Sequence, residues 1–77
     1  MDKPYERMVH RAIEQILLDK PAYKTSLNYA VNYCEVAAGF SGEDLRVQVL
    51  YILNNITHWR GQGHKEIRSL LKAYTAE

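Results

Sequence analysis

Apolar positions recur at three and four residue steps along most of the chain and do not alternate, so the pattern predicts helices joined by turns and no strand. The most sustained run is Ser41 to Trp59, SGEDLRVQVLYILNNITHW, in which Leu45, Val49, Ile52, Leu53, Ile56 and Trp59 gather on one stripe. Val47, Leu50 and Tyr51 fall on the other side with Asn54 and His58. The segment is therefore expected to be a long central helix covered on more than one flank. Ser41 is its expected N-cap, with Glu43 and Asp44 in the positive first turn.

Three shorter helices are expected around it. The first spans about Pro4 to Asp19, capped by Asp2, with Glu6 in the first turn and Tyr5, Met8, Val9, Ala12, Ile13, Ile16 and Leu17 on one face. Lys20 and Pro21 break it, because proline has no amide hydrogen and disfavours a helical residue before it. The second helix starts at Pro21 or at Thr25–Ser26 and ends at Gly39 as a left-handed C-cap. Its inner face is small, built from Leu27, Ala30, Val31, Cys34, Ala37 and Ala38, while Tyr29, Tyr33 and Val36 point elsewhere. Gly61 and Gly63 bracket a tight turn into a last helix, His64 to Thr75, which folds back on the central one. The expected fold is all-α: a compact bundle of four short helices around a long central third helix, about residues 41–59, in one domain over residues 1–77.

Length sharpens this picture. At 77 residues, only about 60% of the unfolded chain's surface can be buried, and small helical domains commonly gain stability from self-association, metal or disulfides. The lone Cys34 excludes an internal disulfide, and Cys34, His10, His58 and His64 show no paired ligand spacing, so no metal or other cofactor is expected. The N-terminus is charged from its second residue and has no apolar h-region, which predicts a cytoplasmic protein. Val47 to Thr57 is about half the roughly 20 residues of a membrane span, so no membrane association is expected. Ten basic and nine acidic side chains give +1, which excludes the strong bias of an obligate nucleic-acid binder.

Candidate chemistry is sparse. No nucleophile elbow or comparable local motif is present, Cys34 sits among alanines as a small hydrophobe, and a bundle this size has little room for a substrate pocket, so no enzyme is expected. The turn Arg60-Gly61-Gln62-Gly63-His64-Lys65 opens a helix amid basic groups, but it lacks phosphate-loop spacing and reads first as a helix-to-helix turn needing positive φ. Arg60, His64, Lys65, Arg68 and Lys72 remain an alternative anion or nucleic-acid site, with Trp59 beside them as a stacking group unless the core takes it.

The segment Val36-Ala37-Ala38-Gly39-Phe40-Ser41-Gly42-Glu43-Asp44-Leu45 resembles the turn of a helix-turn-helix DNA-binding motif over about twenty residues. It departs by placing Glu35 where that family has alanine four residues before the turn glycine. Glu43 and Asp44 stand where the recognition helix would meet phosphates. The leftover apolar and aromatic side chains carry more weight. Six tyrosines is a high count for so short a chain, and tyrosine suits a surface that is wet before binding and apolar after it. The expected function is a self-associating protein-interaction module, a homodimer or a binder of another protein, using Tyr29, Tyr33, Val47, Leu50 and Tyr51. A nucleic-acid-binding module built on the basic last helix or a degenerate helix-turn-helix is the alternative.

Overall fold

The structure, a computed structural model, describes residues 4–76. Helix α1 spans Pro4–Leu18, a 3₁₀ turn covers Lys20–Ala22, α2 spans Ala30–Ala37, α3 spans Gly42–Asn55 and α4 spans His64–Thr75. Among the described residues there is no strand, and no helix is long and apolar enough to cross a membrane. The expected cap Asp2 lies outside the described residues.

The inward stripes are those of the hydrophobic pattern, except that Met8 of α1 and Ala38 just after α2 face solvent. Val9, Ile13 and Ile16 of α1, Ala30, Cys34 and Ala37 of α2, Leu45, Val49 and Ile52 of α3, and Ile67, Leu71 and Tyr74 of α4 are all buried. Each large side chain among them contributes about 1.5–3 kcal/mol relative to exposure. Their arrangement differs from the expectation. The chief neighbours of α1 are α2 and α4, and those of α3 are the same two helices, so the four form a ring around a shared core. No helix is central. A ring member buries one flank and turns the opposite one to solvent, which leaves Val47, Leu50 and Tyr51 exposed.

Nor is α3 the longest element, with 14 residues against 15 in α1. It ends at Asn55 rather than Trp59, because the backbone leaves helical geometry at Ile56 (φ −115°, ψ 20°). The apolar spacing runs on past that point because Ile56 and Trp59 still point inward from the turn, at 0% and 1% exposure. At the end of α1, Asp19 is already outside the helix, and its Oδ2 accepts a 2.7 Å hydrogen bond from the Trp59 indole nitrogen.

The second helix begins later than expected. Pro21 sits at the start of the 3₁₀ turn and Asn28 adopts φ 39°, a left-handed conformation through which an α-helix cannot continue. In the next turn the left-handed glycine is Gly42 (φ 56°) and not Gly39. Ser41 occupies the N-cap position of α3 in extended conformation yet makes no side-chain cap bond. That role passes to α1: the buried Glu6 carboxylate accepts the Gly42 N–H at 2.9 Å. Tyr74 of α4 donates to the Gly42 carbonyl at 3.3 Å and His10 reaches the Phe40 carbonyl at 3.0 Å. Side chains from α1 and α4 thus converge on the α2–α3 turn.

Candidate functional site

Tyr29, Tyr33 and Val36 lie at four and three residue steps and form a stripe at the outer side of α2. Val47, Leu50 and Tyr51 form the outer side of α3. The two stripes meet where the Tyr33 and Tyr51 rings stack, with centroids 5.5 Å apart and planes 25° from parallel. Gln48, buried between the helices, donates to the Tyr33 carbonyl at 2.9 Å and holds that register from beneath. Tyr29 is 65% exposed, Tyr51 49%, Leu50 39% and Val47 38%, so none of these four is spent on the core. Tyr33 is half-buried. The structure therefore brings Tyr33 and Tyr51 into contact on one surface, with Val47 and Leu50 on the adjoining helix face and Tyr29 one turn away from Tyr33.

The cationic candidates divide by role. Arg60 Nη1 donates to the carbonyls of Thr57 and Trp59, each at 2.9 Å, and Arg68 Nη2 donates to those of Ile56 at 2.8 Å and Trp59 at 3.1 Å. These carbonyls belong to the turn that follows α3, and that of Ile56 also accepts from the Trp59 N–H at 3.1 Å, so both guanidiniums tie down the turn between α3 and α4. His64 Nδ1 lies 3.3 Å from Arg68 Nη1. Its pKa is held below the usual imidazole value by lost hydration and then by the charges of Arg60, Arg68 and Lys65. Trp59 is buried and offers no face for stacking.

Arg60, Arg68 and Lys72 also wall a cleft of about 510 Å³ whose floor is Leu50 and Leu53 and whose remaining lining is Asn54 and Thr57. Among the described residues no carboxylate forms an ion pair with these three cations. Lys65, exposed in the first turn of α4, stands outside the cleft. Sequence reasoning named the cations and Leu50 but missed Leu53, Asn54 and Thr57 as lining. The missing signal was the end of α3: only where that helix stops do residues 53–57 open toward α4.

Gly63 has the positive φ (73°) expected of the turn. Gly61 does not, and is required for another reason: a Cβ there would stand 2.5 Å from the Trp59 ring and 2.6 Å from Asp19 Oδ2. Cys34 is fully buried, and loss of hydration pushes its thiol up to about 12. It stays protonated and apolar at neutral pH. Among the described residues no group of three or more His, Cys, Asp or Glu side chains converges as a metal site would need. Where the helix-turn-helix resemblance would place a recognition helix, α3 buries Leu45, Val49 and Ile52 and exposes Glu43 and Asp44.

Comparison with protein-family models, with curated proteins and with solved structures finds no match to this chain.

Proposed function

We propose that this protein acts by protein contact through the outer face of α2 and α3, and that the partner is a second copy of the chain. The observation that carries this reading is the exposed tyrosine stack of Tyr33 and Tyr51, flanked by Val47, Leu50 and Tyr29. Soluble monomers rarely leave large contiguous apolar patches in water, and aromatic clusters of this kind are typical anchors of interfaces. The shallow groove between α1 and α4, lined by Met8, Ala12, Ile67 and Leu70, has no comparable aromatic anchor. The function is one of binding, with no side chain assigned to catalysis.

Tyr51→Asp places a charge at the middle of the face without touching the core. Size-exclusion chromatography with light scattering is expected to give a dimer for the unaltered chain at micromolar concentration and a folded monomer for the variant. An unaltered chain that elutes as a monomer at every concentration overturns the reading. Retardation of DNA or RNA at low salt, fading steeply as salt rises, would instead favour the cationic side chains as the working surface.

A further inference from the structure

The outer side of α3 is polar at both ends with opposite signs. Glu43 and Asp44 project from its first turn, Val47, Leu50 and Tyr51 occupy its middle, and its far end opens into the cleft walled by Arg60, Arg68 and Lys72. Glu43 is only partly neutralised, through an exposed 3.2 Å pair with Arg46, and no bond is made by the Asp44 carboxylate among the described residues. At the other end Arg60 uses Nη1 for its two carbonyls, which leaves Nε and Nη2 for an acceptor outside the chain. One face therefore carries an acidic end in which Asp44 has no ion pair and a basic cleft whose cations meet no carboxylate among the described residues, separated by apolar side chains.

We infer that two copies pair antiparallel across α3, the acidic first turn of each seated in the cationic cleft of the other. This rests on the self-association proposed above and specifies its register. The contact is isologous: a two-fold axis near residues 48–49 repeats each pairing twice. At about 1.5 Å rise per residue, Glu43 and Asp44 lie about 15 Å along the helix from the middle of the cleft. An antiparallel partner centred on that axis brings its own acids to the same place. Val47 of one copy then meets Leu50 of the other, the Tyr33–Tyr51 stack borders the seam, and Leu53 floors the pocket that takes the Asp44 side chain. A parallel arrangement would set acid against acid and cation against cation, which costs association and excludes that register.

The test uses two charge-altered chains that leave Arg60, Arg68 and the core untouched. One is Glu43→Lys with Asp44→Lys; the other is Asn54→Asp with Lys72→Glu. Each alone is expected to self-associate about tenfold or more weakly than the unaltered chain: in the first, lysines face Arg60, Arg68 and Lys72 at both ends of the seam, and in the second the two new carboxylates cancel the charge of the cleft that must hold Glu43 and Asp44. Mixed in equal amounts they are expected to form a one-to-one heterodimer by light scattering and native mass spectrometry, since one end then keeps the original acid-to-cation contact and at the other the two lysines meet a cleft that has gained two carboxylates. Circular dichroism checks that each variant is helical. For the unaltered chain, raising salt from about 0.02 to about 0.5 M is expected to weaken the dimer, a measurement that needs no substitution. A dimer indifferent to salt, or variants that pair with themselves as well as with each other, overturns the register while leaving self-association standing. A monomeric unaltered chain removes both.

Discussion

Gly61, Trp59 and Asp19 form a three-residue lock at the open end of the bundle. The indole donates to the carboxylate at 2.7 Å, and the glycine lies so close over both that a single added carbon would stand 2.5 Å from the ring. Trp59 is 1% exposed and cannot swing away without opening the core. Gly61→Ala is therefore expected to cost about 1–3 kcal/mol. For a domain of this size that lowers the thermal unfolding midpoint by roughly 5–20 °C. Gly63→Asn, two residues on, is expected to cost less than about 1 kcal/mol, since asparagine tolerates the left-handed conformation found there. Thermal melts followed by circular dichroism separate the two. Equal losses would mean that both glycines serve backbone conformation alone.

At the scale of the element, the ends of α3 are made by side chains from elsewhere. Its start is held by Glu6 of α1 and the turn after its end by Arg60 and Arg68, while the local cap candidate Ser41 makes no cap bond. Glu6→Ala is expected to destabilise the fold by about 1–3 kcal/mol, because the first amide of α3 loses a charge-assisted bond from a buried carboxylate. Ser41→Ala is expected to stay within about 0.5 kcal/mol of the unaltered chain. Urea melts of both variants decide the matter, and the reverse ranking would show that Ser41 caps the helix in solution. The α3 end also explains how much of the candidate site was legible. Periodicity located Val47, Leu50 and Tyr51 on one outer face, because helical spacing is local information. It could not locate Leu53, Asn54 and Thr57 on a cleft wall, since that depends on where the helix stops and how the following turn leads into α4.

For the whole molecule, the ring arrangement governs what is left over. Four helices around one core give each a single inward flank, and the mixed apolar face of α3 has no cover within the chain. If that face closes against a second copy, unfolding is coupled to dissociation. The thermal midpoint of the unaltered chain is then expected to rise with protein concentration, by mass action, while that of Tyr51→Asp stays constant. Differential scanning fluorimetry over about a hundredfold range of concentration reads this directly. A midpoint independent of concentration in both chains would count against the dimer.

What the amino-acid order determined by itself was local: the four helical stripes, the bounds of α4, the inward place of Cys34 and Trp59, and the position of Tyr33, Val47, Leu50 and Tyr51 off the main stripes. Each follows from a 3.6-residue repeat or from the conformational limits of one or two residues. The tertiary structure decided the rest. It ended α3 before its apolar spacing ran out, and passed the N-terminal cap from Ser41 to a carboxylate 36 residues away. It also arranged the helices as a ring in place of a bundle with a centre. Those outcomes depend on which distant groups reach a free amide or carbonyl first and on how many flanks a packing arrangement can cover, and neither is written in the spacing of neighbouring residues.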